Sequence, residues 1–253
     1  MSPDITGLLI LAALLGTLLI LQRLSQRETQ AIFLLLTRRA DIAVALFSLL
    51  FLPGVILHEA SHFVMAKLLR VRTGRVSLLP RALPNGRLQL GFVETASTDW
   101  LRDALIGSAP LFLGGAFVAY AGLTRLGLLL MWEKLVSVGP SAAFDALPTL
   151  FDQPDFWLWF YLVFTVSSTM LPSQSDRRAW LPLALTAGLL LGLSLLAGAG
   201  PWLLLHLAEP LNRALQAVSA ILGISVFIHL VLLVPLVFLH AFISRLTGLQ
   251  VVG

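Results

Sequence analysis

The sequence predicts a polytopic α-helical membrane protein with about six transmembrane helices and a short β-hairpin region between the second and third spans. Three observations predict this. First, 58% of the residues are hydrophobic and only 12% are charged, half of the roughly 25% usual in a soluble domain; mean hydropathy is +0.91. Such a chain has too little polar surface to cover a water-facing globule. Second, apolar runs approaching the about 20 residues needed for a crossing recur along the chain. Third, the longest polar interval, 71–103, is rich in turn residues. The net charge of +4 is spread beside apolar runs rather than gathered in one stripe, which argues against nucleic acid as a partner. The absence of cysteine excludes disulfides, thiolate metal ligands and a thiol nucleophile.

The expected spans are Ile5–Leu21, Ile42–Leu69, Ala104–Trp132, Phe156–Leu171, Trp180–Ala197 and Val218–Ile243. The first has Asp4 before it and Arg23 and Arg27 after it. That is the reverse of a signal peptide's basic start, so it reads as a retained helix. Ile32–Leu36 and Trp202–Leu207 are too short to cross and are expected to lie in the interface. The fourth span opens with Phe156, Trp157, Trp159, Phe160 and Tyr161, an interfacial aromatic belt. Gly188 with Gly192, and Gly115 with Ala119, are small residues four apart that allow close helix approach. In 71–103, Val76 and Leu78, then Leu88, Leu90 and Phe92, alternate around a centre holding Asn85-Gly86, a strong hairpin signal. The interval 133–155 is acidic and too short for a separate module such as a PDZ domain. The chain thus divides into an N-terminal helix with a basic connector (1–41), a core (42–178) with its hairpin region, and C-terminal helices (179–253).

Loop charge orients the chain. Arg72, Arg75, Arg81, Arg87, Arg102, Arg177, Arg178 and Arg245 mark cytoplasmic loops, while Glu133, Asp145, Asp152 and Asp155 mark an outer one. The connector 22–41, with Arg23, Arg27, Arg38 and Arg39, falls outside under six alternating spans: either the first segment does not cross, or the rule fails there.

Chemistry enters at His58-Glu59-Ala60-Ser61-His62, inside an apolar stretch. Residues four apart share a helix face. His58 and His62 can therefore hold one Zn²⁺, with Glu59 beside an open coordination position. There Glu59 can take a proton from water and pass it to a leaving amine. The competing reading is two intramembrane histidines satisfied by neighbouring helices, but burying Glu59 without a function is costly. At about 1.5 Å per residue, the stretch from His62 to Leu69 sets the pair about 10 Å inside one membrane face. A metzincin would need a histidine where Leu68 stands and a glycine where Met65 stands.

An H-E-x-x-H in a membrane helix resembles the site-2 protease family of intramembrane zinc metalloproteases. That family carries Asn-x-x-Pro and then Leu-Asp-Gly on a later helix, the Asp being the third zinc ligand. Here the stretch Thr169-Met170-Leu171-Pro172-Ser173-Gln174-Ser175-Asp176-Arg177 matches in Pro172 and Asp176. Thr169 stands where the Asn falls, Arg177 replaces the Gly, and the Pro-to-Asp spacing is one residue shorter. Ser108–Gly114 resembles the family's Gly-Pro-rich helix start, and Leu88–Phe92 its hairpin. The resemblance covers about residues 50–178. It implies zinc held by His58, His62 and Asp176, with Glu59 as general base and then acid. It further implies a multi-pass protein of a prokaryotic cell membrane with its active site toward the cytoplasm.

The expected partners are the lipid bilayer and a membrane-protein substrate helix. A helical peptide bond is shielded, so the substrate must unwind; an edge strand of Leu88, Leu90 and Phe92 can hold it extended, and Thr169 can donate where the family uses Asn. Alternatives remain at several positions. Asp176 can pair with Arg177 or Arg178 instead, and His229 or Glu94 can supply a ligand. His206, Glu209 and His240 read as interfacial. The alternative function is a catalytically inactive membrane scaffold or complex subunit of the same fold. A proton-relay transporter predicts more acidic residues inside other spans than the sequence holds.

Overall fold

A computed structural model describes residues 5–78, 80–82 and 88–250. The chain is overwhelmingly helical, and four of the described helices are long and apolar enough to cross a membrane: α1 (Thr6–Thr37), α2 (Ala40–Leu68), α3 (Trp100–Tyr120, continued as a π-helical turn Ala121–Arg125) and α8 (Gly200–Thr247). Between them lie α4 (Leu128–Ser137), α5 (Pro140–Leu150), α6 (Phe156–Thr169) and α7 (Trp180–Leu196).

Several expected boundaries differ. Ile32–Leu36 is the continuation of α1, with Ile32 and Leu35 buried against Ile243. Trp202–Leu207 and Val218–Ile243 belong to one 48-residue helix, about 72 Å long at the α-helical rise. The expected third span divides at the π turn, and the acidic interval holds α5 and the end of α4. Gly188 and Gly192 have no neighbour within 4 Å, and α7 buries none of its residues. Their smallness therefore serves no helix contact among the described residues. Gly115 does face α8, at Ile221.

The described residues of the polar interval form four short strands: β1 (Thr73–Ser77), β2 (Arg81–Ala82), β3 (Leu88–Gln89) and β4 (Phe92–Thr95). β1 pairs antiparallel with β4 through Val76–Val93 and Ser77–Phe92, and β2 pairs with β3. The turn expected at Asn85-Gly86 lies outside the described residues. Leu88–Phe92 is thus not one continuous edge: Leu88 pairs with Ala82, and it is β4 that borders the cleft.

Two helix pairings set the frame. α2 and α6 run parallel. Tyr161 donates to the Leu50 carbonyl at 2.7 Å, beside Pro53, and His58 meets the Thr169 carbonyl with the same sequence offset. α3 runs antiparallel to α6, with Gly107 against Asp176 and Phe117 and Tyr120 against Trp159. Phe51, Val163, Phe164, Val118, Leu222 and Ile228 form the centre of the core. Asp99 caps α3 by accepting from the Arg102 amide at 3.0 Å, satisfying a donor that the helix start leaves free.

α1 packs along α8 in parallel. The Gly7 amide donates to Asn212 Oδ1 at one end (2.8 Å), and His240 meets Glu28 at the other. Six simple alternating spans would make these two helices antiparallel. The parallel pairing also sets Arg245 at the end of the bundle that holds Arg38 and Arg39, away from β1–β4. This corrects its expected grouping with Arg72 and Arg75.

Candidate metal centre

His58 and His62 stand four residues apart on α2, and their Nε2 atoms are 3.1 Å from each other. Each ring is held by its other nitrogen. His58 Nδ1 lies 2.7 Å from the Thr169 carbonyl oxygen, and His62 Nδ1 lies 2.8 Å from that of Ile106. A carbonyl only accepts, so both Nδ1 atoms carry the proton and both Nε2 atoms of the neutral rings are bare acceptors. Two lone pairs facing each other at this distance repel unless a cation lies between them.

Asp176 completes the group. Its Oδ1 lies 3.5 Å from His62 Nε2 and its Oδ2 3.8 Å from His58 Nε2; one ligand atom from each of the three residues lies within 4.8 Å of the others. Ligands at about 2.0–2.2 Å from a tetrahedral Zn²⁺ are about 3.3–3.6 Å apart. The donor set, two imidazoles and one carboxylate with both histidine tautomers fixed by carbonyls, fits such an ion.

The delivery of Asp176 follows from local sequence. α6 stops at Thr169, and Pro172 cannot continue the helix. The chain then turns so that the Ser173 amide donates to Asp176 Oδ2 at 2.7 Å. Burial raises the Asp176 carboxyl, but the polar groups around it, the donating Ser173 amide among them, outweigh this and hold it below the usual carboxylate range. It is therefore a carboxylate, as a ligand must be. Gly107 of α3 makes room: a Cβ there would overlap the Asp176 carbonyl oxygen. Arg178 makes a two-pronged ion pair with Asp103 at 2.7 and 2.8 Å, tying the loop to the first turn of α3. Arg177 donates to the Ser173 carbonyl. Neither arginine takes the place of the histidines beside Asp176.

The group opens on a cleft of about 990 Å³. Glu59, buried to 7% exposure, forms part of its wall. Gly91 closes over Glu59, since a Cβ on Gly91 would come within 3.0 Å of Glu59 Cγ. Leu90 and all of β4 line the opposite side, and Glu94 accepts from the Arg75 amide there. β4 pairs with β1 alone among the described residues.

Other expected residues fall elsewhere. Thr169 lines the cleft, but its hydroxyl is engaged with the Thr165 and Val166 carbonyls of its own helix, and it is the Thr169 carbonyl that serves His58. His229 is fully buried, with Nδ1 2.8 Å from the Ser225 carbonyl and Nε2 3.0 Å from Ser168 Oγ. It is a packing histidine apart from the metal group. His206 stacks on Trp202, and Glu209 pairs with Arg213. His240 is not simply interfacial: it lies 2.5 Å from Glu28, partly buried between α8 and α1. Sequence reading missed the Ile106 and Thr169 carbonyls, Gly107 and Ser173. Backbone atoms leave no mark in a motif, though Gly107 preceded a small-residue run that could have signalled close packing.

Comparison with models of known protein families, with curated proteins and with solved structures finds no match to this chain.

Proposed function

We propose that this chain is a compact, PDZ-less intramembrane zinc metalloprotease, similar to site-2 proteases, that hydrolyses a peptide bond in or beside a substrate's membrane helix. One observation carries the reading. Two bare imidazole nitrogens and a carboxylate converge at the wall of a cleft in an apolar bundle, with Glu59 beside them. His58, His62 and Asp176 would hold the ion and leave a fourth position open. Zinc, when bound, supplies Lewis-acid activation of the attacking water and the scissile carbonyl. Glu59 accepts the water's proton and returns it to the leaving amine. The unpaired edge of β4 along the same cleft supports an extended substrate segment held by strand addition, with Leu90 and Phe92 against its side chains.

The parallel α1–α8 pair favours five crossings over six. α1, α2, α3, α6 and α8 cross, the 14-residue α6 from within the buried core, and α7, which buries none of its residues, does not. The metal end of the bundle then carries Lys67, Arg70, Arg72, Arg75, Arg81, Arg102, Arg177 and Arg178, and we assign it to the cytoplasmic side of a prokaryotic membrane.

The test is purified protein in detergent or vesicles, assayed for bound metal and for cleavage of a membrane-helix substrate. The expected result is about one zinc per chain, with cleavage lowered at least about 100-fold by Glu59→Gln. Wild-type protein, never exposed to chelator, without stoichiometric metal would overturn the reading. Retained zinc with no effect of Glu59→Gln on any phenotype would replace it with an inactive scaffold.

A further inference from the structure

The end of α6 is short of amides. A helix leaves its last carbonyls without intrahelical partners. Pro172 has no N–H to offer Ser168, and the Ser173 amide that could serve Thr169 is taken by Asp176. Side chains meet three successive carbonyls instead. Gln22 Nε2 lies 2.5 Å from the Ser167 oxygen, Gln26 Nε2 3.3 Å from that of Ser168, and His58 Nδ1 2.7 Å from that of Thr169. His58 is the candidate ligand; the other two donors both come from α1, four residues apart on one face. Gln22 is 7% exposed within the bundle, where an amide is costly unless it is hydrogen-bonded. Gln26 forms part of the cleft wall.

We propose that Gln22 and Gln26 are positioning residues of the metal centre. By holding the Ser167 and Ser168 carbonyls they fix the end of α6, and with it two things. One is the Thr169 carbonyl that sets the His58 tautomer. The other is the take-off point of the chain that delivers Asp176. The first helix is then a working part of the metal-binding unit rather than an anchor beside it. This inference rests on the metal reading of the site.

Methionine in place of glutamine keeps length and apolar bulk but removes the donor. The experiment uses the full chain, purified and metal-free, titrated with Zn²⁺ against a chromophoric chelator and separately loaded with Co²⁺ for visible absorption. Gln22→Met and Gln26→Met are each expected to weaken Zn²⁺ about 10-fold, the low end of the range for outer-shell groups, and to shift the Co²⁺ spectrum. Ser25→Ala, in the same helix, removes a buried hydroxyl that has no hydrogen-bond partner among the described residues and is expected to change neither. Thermal unfolding of each metal-free variant separates a positioning role from a loss of fold. If Gln22→Met does not fold, Gln26→Met, at the cleft wall, decides alone. Folded variants with wild-type affinity and spectrum overturn the proposal and leave the metal reading intact. Wild-type protein that binds no Zn²⁺ overturns both.

Discussion

At the scale of single residues, the centre is defined by what each nitrogen cannot do. With both Nδ1 protons committed to carbonyls, His58 and His62 have only Nε2 to offer, and a cation relieves the contact between them. We therefore expect His58→Ala or His62→Ala to abolish stoichiometric zinc, read by elemental analysis of purified protein. Asp176→Ala should lower occupancy and stop proteolysis, because two imidazoles alone hold zinc weakly and leave its geometry open. Glu59→Gln should retain the metal and lower turnover by about 10²- to 10⁴-fold, the usual contribution of a general base. Metal loss in Glu59→Gln would show that the carboxylate is structural.

At the scale of elements, α3 and the end of α6 compete for the space around Asp176. A side chain at Gly107 meets backbone, which cannot swing aside. Gly107→Val should push α3 away from the loop, weaken Zn²⁺ binding and destabilise the fold by about 1–3 kcal/mol, as overpacking does. A chelator competition and a thermal melt read the two effects; an unchanged pair would mean that α3 approaches less closely than described. Pro172→Ala runs the other way. It gives residue 172 an amide for the Ser168 carbonyl and removes a helix breaker worth about 3 kcal/mol in a helix interior. α6 should lengthen, the metal-free protein should melt no lower, and metal affinity should fall as Asp176 moves off the histidines. Unchanged affinity would show that the loop, not the proline, sets the position of Asp176.

At the scale of the whole molecule, the direction of α8 decides the topology. α8 lies parallel to α1, so its C-terminal end sits by the α1–α2 turn at Arg38 and Arg39, across the span from β1–β4. With no native cysteine, single cysteines can be labelled from one side. Positions 81 and 177 should label from the cytoplasm, and 145 and 245 from outside. Labelling of 245 together with 81 would restore six alternating spans and reverse α8. This arrangement leaves the conflict in the loop charges in place and adds Arg245 to the outer side. The connector at Arg38 and Arg39 stays outside, but the metal end keeps most of the basic residues.

The sequence by itself determined that the protein is a helical membrane chain and that His58, Glu59 and His62 stand together on one helix. Composition excludes a water-soluble globule, and a period-of-four histidine pair with an adjacent glutamate is a local pattern that any helix turns into one face. Asp176 was legible only through resemblance, because its distance to the histidines depends on how α2, α3 and α6 pack and not on spacing. Only the tertiary structure decided which carbonyls fix the histidine tautomers, that β4 rather than a continuous Leu88–Phe92 strand borders the cleft, and that Gln22 and Gln26 reach the end of α6. It also decided that α8 is one helix running with α1. The physical reason is the same in each case. Hydropathy records how apolar a segment is and helical period records which side it buries, but neither records direction or partner. Those are set when backbone carbonyls left open by Pro172 and by the helix ends find donors on chains more than a hundred residues away.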